Sequence, residues 1–559
     1  MNTEKTLAEP SQGIRVIKKN IREVLELSNI LKTSLGPMGK DKVIRNSRKN
    51  VTITNDGATI LGKARIKGEI RKMIAELSMA QDDELGDGTT GVVILTGALL
   101  ENAEKLLELG IHPARICEGF EHASDLCISY LEKISEVLNH KDMIFSSLVD
   151  IAMTAMNSKI INRSKKILAE ICVKAVIAVA DLKRRDVNLD LIKIEGKIGE
   201  NLEKTNLING IILDKEFSNS QMPKKITDAR LAILTCPLEP AKPKSKHKIE
   251  IEDAKHYEKL EKVEQNYFKE MINQLKKSGV NLIICQWGFD DEANHLLLRN
   301  KISAVRWASG SDIELLSIST GAKIVPRFNE LTTVCIGHSG KITESSVGSN
   351  QDRFLIIEDC PVSNTVTILV RGNSELILEE AKRAIHDSLC AIRNLFKDNR
   401  VVLGGGSSEM SCSNFIKNIG EKSLGAKHYI LNAFSEALKI IPSVLAENSG
   451  YSAIDTVSTL SMIHDNEGGI SYGIDGSGFG IGNMKKQKIF ETFASKQHQI
   501  QTATQMANSI LRIDDMIDLK KKTFDLFLDL ISIINSSFLF FMTEILRGRE
   551  PSVIFIGIQ

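Results

Sequence analysis

The chain has 559 residues, too many for one hydrophobic core and enough for roughly two to four domains. Its 72 basic and 71 acidic residues leave a net charge of +1, and aromatics make up only 5%, so neither the positive surface nor the stacking surface of a nucleic-acid binder is expected. Nine scattered cysteines without a Cys-x-x-Cys pair argue against a zinc site and fit reduced cytosolic thiols, and Met1-Asn2-Thr3-Glu4-Lys5 carries no apolar signal core.

Ile14, Ile17, Ile21, Val24 and Leu31 fall at helical spacing and predict one buried face. Glycine and proline in Thr33-Ser34-Leu35-Gly36-Pro37-Met38-Gly39 stop that helix. Val51-Thr52-Ile53-Thr54 alternates like a short strand and is expected to turn at Asn55-Asp56-Gly57. The most informative stretch follows: Asp82-Asp83-Glu84-Leu85-Gly86-Asp87-Gly88-Thr89-Thr90-Gly91, then an apolar run to Gly97. Backbone amides at such a glycine turn, with the positive end of the next helix, suit phosphate oxygens. Asp87 offers a hard oxygen ligand for Mg²⁺, and the Thr89 and Thr90 hydroxyls can bond phosphate or metal-bound water. A capped helix start without any ligand uses the same residue types.

Residues 92–180 read as mostly helix. From about 190 the texture becomes short Ile-, Leu- and Val-rich strands, clearest at Leu191–Ile194, Leu231–Thr235, Asn281–Cys285, Phe354–Ile357 and Thr365–Arg371. Helical patterns between several of them predict an α/β region. Pro240-Ala241-Lys242-Pro243-Lys244-Ser245-Lys246 reads as exposed and extended. A strongly amphipathic helix follows, with Tyr257, Leu260, Val263, Tyr267, Met271 and Leu275 on one face and an end at Ser278-Gly279. At 1.5 Å per residue it spans roughly 35–40 Å. By pattern alone it is an ordinary surface helix.

Helical texture returns through Glu379–Leu395 and Leu431–Glu447, which predicts a helical base built from both ends with the middle inserted. Gly476-Ser477-Gly478-Phe479-Gly480-Ile481-Gly482 lacks the strand and βαβ context of a dinucleotide loop. Residues 516–559 hold six of the 19 phenylalanines, and Leu526–Met542 is nearly apolar but carries Asp529 and Asn535, at the short limit for a membrane span.

Four dispersed elements look like parts of one site: the Leu35-Gly36-Pro37 turn, Asn55-Asp56-Gly57, Asp87-Gly88-Thr89-Thr90, and Gly404-Gly405-Gly406 after the strand-like Arg400-Val401-Val402-Leu403. Together they resemble the group II chaperonins of the eukaryotic cytosol (TRiC) over about residues 14 to 515. The resemblance is carried by Thr33–Pro37, by Thr54-Asn55-Asp56-Gly57-Ala58-Thr59-Ile60-Leu61 and by Gly86–Thr90. Gln286-Trp287-Gly288-Phe289-Asp290-Asp291-Glu292-Ala293-Asn294-His295-Leu296-Leu297-Leu298, with Asp398–Val402 and Gln221-Met222-Pro223-Lys224-Lys225, is similar to the epsilon class of subunits.

The resemblance implies an α+β multidomain chaperonin fold. It places an equatorial domain at 1–144 and 403–515, an intermediate domain at 145–214 and 369–402, and an α/β apical domain at 215–368 with a helical protrusion at about 242–278 acting as a lid. It further implies ATP and ADP as ligands with Mg²⁺, ATP hydrolysis, and a cytoplasmic double ring of paralogous subunits that encloses non-native clients such as actin and tubulin. No nucleic-acid or membrane partner is expected. A ring subunit that binds but does not hydrolyse ATP is the alternative, against which stand all three family aspartates. Those catalytic positions match Asp56, Asp87 and Asp387, with Asp87 also a metal ligand. Leu35, Gly36, Pro37, Gly88, Thr89 and Thr90 match the phosphate turns, and Gly405 a backbone contact to the nucleotide. Ser158 and Lys159 match the loop sensing the terminal phosphate, and Glu491 and Lys496 the ribose and base end. Without the resemblance, Asp387 reads as a solvated helix-face aspartate and Lys159 as a surface lysine. The tail departs from the family pattern: 44 apolar-rich residues follow Asp515, where a short polar end is usual, and a translated intron or shifted frame gives such a composition.

Overall fold

The computed structural model describes residues 12–45, 51–64, 67–138, 145–156, 161–181, 183–239, 254–346, 353–362, 365–466, 468–476, 478 and 480–515. The Lys-Pro stretch at 240–246, Ser158, Lys159 and the apolar tail therefore lie outside the described residues. The chain divides into two units, Lys18–Arg512 and Met1–Ile17 with Ile513–Gln559, and the candidate site lies within the first.

Helix α1 (Gln12–Lys32) buries Ile21, Val24, Leu27 and Leu31 at the predicted spacing. It ends in a turn where Gly36 takes a left-handed φ of 81°, and Gly39 N–H donates to the Gly36 carbonyl. Strands β1 (Lys42–Arg45) and β2 (Val51–Thr54) pair antiparallel, with Val43 opposite Ile53. Asn55-Asp56-Gly57 is not the expected strand turn. Asp56 instead caps α2 (Gly57–Lys63), accepting from the amides of Ala58 and Thr59, because a helix start leaves donors that an aspartate satisfies locally. Helix α3 (Glu69–Leu85) stops at Gly86, φ 70°, and α4 (Thr89–Glu108) starts after Gly88, φ 82°. Helices α5 (Pro113–Ile134), α6 (Phe145–Ala155) and α7 (Lys165–Val179) follow, with the two-residue β3 (Glu136–Val137) between α5 and α6.

The middle of the chain supplies β4 (Ile192–Ile198), β5 (Asn206–Ile208), β6 (Gly210–Leu213), β7 (Lys225–Leu234), α8 (Ala254–Ser278), β8 (Leu282–Cys285), α9 (Asp291–Arg299), β9 (Ser303–Val305), α10 (Gly310–Thr320), β10 (Ile324–Val325), β11 (Gly337–Ser346), β12 (Arg353–Glu358) and β13 (Val366–Gly372). Seven strands make one sheet in the order β6-β12-β11-β7-β8-β9, with β10 also on β7. The β7, β8 and β9 strands run parallel as the α/β texture predicts. The long helix α8 sends Phe268, Met271, Ile272 and Leu275 into this sheet's core and ends before Gly279, φ 77°. The strand expected at Leu191–Ile194 runs on to Ile198. Parallel pairing with β13, from Ile192↔Val366 to Ile198↔Gly372, carries the polar Glu195 and Lys197 along with it.

The last third holds α11 (Glu375–Lys397), β14 (Arg400–Leu403), α12 (Ser407–Lys422), α13 (Ala426–Leu438), α14 (Ile440–Asn448), α15 (Ala453–His464), β15 (Tyr472–Asp475), β16 (Gly480–Asn483), α16 (Met484–Gln487), β17 (Phe490–Thr492) and α17 (Phe493–Leu511). The helical texture expected over Leu431–Glu447 is present as two helices, α13 and α14, divided at Lys439; Pro442 has no N–H to bond the Leu438 carbonyl. Of the glycine-rich 476–482 segment, Gly480, Ile481 and Gly482 lie in β16, which pairs antiparallel with β15.

Both chain ends build one helical layer. Phe120 of α5 meets Phe434 of α13 edge-on at 5.7 Å, Tyr130 stacks on Phe415 of α12 at 4.2 Å, and Asn508 of α17 donates to the Cys117 carbonyl. A second core joins α6, α7, β4, β13 and α11 through Leu148, Ala152, Leu168, Cys172, Ile368, Ile385 and Leu389. The sheet of β6–β12 has a third, around Leu231, Ile283, Phe268 and Leu316. Among the described residues, separate cores along one chain, one under the large sheet and one joining α6, α7, β4, β13 and α11, fit a multidomain α+β fold.

Candidate functional site

The two glycine turns, the start of α4, the middle of α11, the Gly404–Gly406 turn and the start of α17 enclose a cavity of about 430 Å³. Leu35, Gly36, Pro37, Asp56, Asp87, Gly88, Thr89, Thr90, Asp387, Gly405, Glu491 and Lys496 all line it.

Each carboxylate is aimed by local structure. Asp56, fixed as the α2 cap, accepts from the Thr89 hydroxyl at 2.9 Å through Oδ1, which ties the start of α2 to the start of α4. The approach is tight enough that a Cβ on Gly57 would lie 2.8 Å from Thr90 Oγ1. Asp87 Oδ1 accepts from the Gly88 amide at 2.7 Å, and its carbonyl accepts from Gln81 Nε2 at 2.8 Å. Gln81 is fully buried, and its Oε1 lies 2.7 Å from Nδ1 of His498 on α17, so two helices hold the Asp87 loop in place. Asp387 is not the solvated residue its helix position suggests. It lies half-buried on the cavity wall, because α11 packs the opposite face, Ile385, Leu389 and Ile392, into the second core.

The electrostatics are those of crowded negative charge. Burial, then the carboxylates of Asp56 and Asp87, pushes Asp387 well above the usual carboxylate range. Burial also raises Asp87, against the pull of Lys496. Asp82, just behind the loop, is pushed up to about 6 by burial and then by Asp56 and Asp83. Oxygen donors that repel one another are of the type a hard divalent cation such as Mg²⁺ takes, although among the described residues no three carboxylates, histidines or cysteines are gathered closely enough to hold one by themselves.

At the other end, Lys496 lies between Glu409 and Glu491, 2.6 Å from the latter. Burial alone would lower the lysine, but Glu409 and Glu491 together hold it above its ordinary value. Burial pushes Glu491 up to about 7 even with Lys496 beside it. Between about pH 4.5 and 7 the native carboxyl thus keeps a proton that the unfolded chain has lost, and its contribution to stability falls as pH rises through that window. Glu491→Gln should flatten the fall in melting temperature across this range. An unchanged slope would contradict the assignment.

Sequence reasoning missed several wall residues. Glu380 and Arg383 lie on the Asp387 face of α11 and pair with each other at 3.1 and 2.6 Å, and the spacing 380, 383, 384, 387 is a helical-face signal that could have found them. Asp150, paired with Lys488 at 2.9 Å, and Lys165 carry no local signal.

The TCP-1/cpn60 chaperonin family model matches residues 27–521. T-complex protein 1 subunit epsilon of Encephalitozoon cuniculi is 43% identical over 507 residues, which is 90% of this chain and 94% of that one. A thermosome subunit of Methanocaldococcus jannaschii is 36% identical over 521 residues, 93% and 94% of the two chains. Thermosome subunit beta of Sulfurisphaera tokodaii is 35% identical over 540 residues, 94% and 97%.

Proposed function

The chain belongs to the TCP-1/cpn60 chaperonin family, and on that premise we propose that this chaperonin subunit hydrolyses ATP within a cytoplasmic double ring of paralogous subunits that encloses non-native proteins of the actin and tubulin class. One observation carries the reading: Asp387, more than three hundred residues after Asp56, lines a single cavity with Asp56, Asp87 and three glycine turns. We divide the chain for this purpose into the equatorial, intermediate and apical segments expected from its resemblance, with 516–559 as an atypical tail.

Amides at the start of α4, after Gly88, donate to phosphate oxygens, aided by the positive end of that helix. The Thr89 hydroxyl, donated to Asp56, keeps that carboxylate turned toward the phosphates. Bound at Asp87, Mg²⁺ would supply the positive charge that phosphoryl transfer needs. Asp387 orients the attacking water and takes its proton. Its helix belongs to the second core yet docks on the loop-bearing helix, since Arg393 donates to the Glu84 carbonyl and Asn394 to the Leu85 carbonyl, at 2.5 and 3.0 Å. Turnover would then require that docking, so chemistry follows domain closure.

Gly36→Ala should weaken ATP binding while leaving every carboxylate in place. Its φ of 81° costs an alanine about 1–2 kcal/mol, and the new methyl would run into the Leu445 side chain. ATP titration of the full chain tests this, and unchanged affinity would remove the first turn from the site. The function itself is tested by offering chemically denatured actin to the complex captured through this chain. Release of folded actin should need ATP and Mg²⁺, and release at the same rate with ADP or no nucleotide would refute it.

A further inference from the structure

The loop carrying Asp87 is held from behind by Gln81 and His498, neither of which lines the cavity. The Asp87 carbonyl accepts from Gln81 Nε2 at 2.8 Å and from the Ser495 hydroxyl at 3.4 Å. A carbonyl can only accept, so it fixes which way the fully buried Gln81 amide faces; reversed, two oxygens would meet. Gln81 Oε1 is thereby turned to Nδ1 of His498, 2.7 Å away.

The His498 ring is fixed in turn. The Thr502 hydroxyl donates its hydrogen to the His498 carbonyl, so the oxygen it presents to Nδ1 at 3.2 Å accepts. With only acceptors on that side, Nδ1 carries a hydrogen and donates to Gln81. Nε2 lies 2.9 Å from a carboxylate oxygen of Glu84, near the end of α3, which opposes turning the ring over. One nitrogen on α17 thus sets the direction of the Gln81 amide, and through it the Asp87 carbonyl.

The consequence falls on the cation. Mg²⁺ takes its oxygens at about 2.0–2.1 Å in a nearly ideal octahedron, commonly with one or two carboxylates completed by phosphate and water. Among the described residues no three acidic, histidine or cysteine side chains gather to hold an ion, so its binding depends on where the Asp87 loop stands. We propose that His498 is a positioning residue for Mg²⁺: donating from Nδ1, it holds Gln81, and through Gln81 the Asp87 loop, where that carboxylate can ligate the ion. The role rests on the reading of the cavity as a site for ATP and Mg²⁺.

The test is equilibrium binding of ATP to the full-length chain, in excess Mg²⁺ and in excess EDTA, with melting of each nucleotide-free protein. Wild type is compared with His498→Asn, which keeps an amide N–H where Nδ1 stands, and with His498→Leu, which keeps the bulk without a donor. His498→Leu should lose about tenfold or more in affinity with Mg²⁺ and less than about twofold in EDTA, the loss expected when a metal ligand's supporting hydrogen bond is removed. His498→Asn should stay within about threefold of wild type in both. Gln81→Met should reproduce the loss, and combining it with His498→Leu should add little. Should His498→Leu melt below the assay temperature, Gln81→Met decides alone. Equal loss with and without Mg²⁺, no loss, or the same loss in the asparagine and leucine variants would overturn the proposal. A wild-type chain that binds ATP equally well in EDTA would instead defeat Asp87 as a metal ligand, and one that binds no ATP would defeat the nucleotide reading beneath both.

Discussion

Asp387→Ala should cut ATP turnover at this chain's site by about 10²–10⁴-fold, the range for removing a group that moves a proton in the transition state. ATP affinity should stay within about threefold of wild type or rise. Asp387 is held well above the ordinary carboxylate range by burial and by Asp56 and Asp87, so its removal relieves repulsion in a cavity that must accept a polyanion. The two readouts separate the candidate roles. Lost turnover with retained binding marks a water-orienting group, whereas lost binding marks a metal or nucleotide ligand. Retained turnover would favour the alternative, a ring subunit that binds ATP without hydrolysing it. Single-turnover hydrolysis of ATP bound to the full chain distinguishes all three.

Lys496→Met should destabilise the chain by roughly 3–5 kcal/mol, the usual consequence of removing one partner from a buried charge cluster. Glu409 is 3% exposed, and its Oε2 already lacks a hydrogen-bond partner, so without Lys496 neither of its oxygens is compensated. Glu491 would lose the cation that keeps it from rising above about 7. The double variant Glu409→Gln/Lys496→Met should recover much of the loss, because a neutral amide no longer demands a counter-charge. The penalty should also shrink as pH falls below about 7 and Glu491 protonates. Denaturant unfolding measures both effects, and a loss under about 1 kcal/mol would show that the cluster relaxes into water and does not brace the start of α17.

The parts of the site that sequence reading reached are those set by local chemistry. Gly86 and Gly88 sit at left-handed φ on either side of Asp87, so glycine is written into the chain wherever that loop requires it. The apolar run after Thr90 matches a helix buried nearly throughout its first half. Other local information was present and misread: Asp56 before Gly57-Ala58-Thr59 is as good a cap as it is a turn. What no local pattern contains is pairing at a distance. Asp150 meets Lys488 across 338 positions, and Lys496 meets Glu409 across 87, each brought together only by tertiary packing. The place of Asp387 in the cavity is of this kind, and only the whole-chain resemblance suggested it.

The most direct test of the central claim is the mass and composition, by native mass spectrometry, of the complex captured through this chain from its own cells. An ATP-dependent chaperonin subunit should appear in a closed ring particle many times its own 61.8 kDa, together with several related chains. A lone 61.8 kDa chain, or one released only by detergent, would contradict ring membership and leave the cavity without the assembly that gives its hydrolysis a purpose.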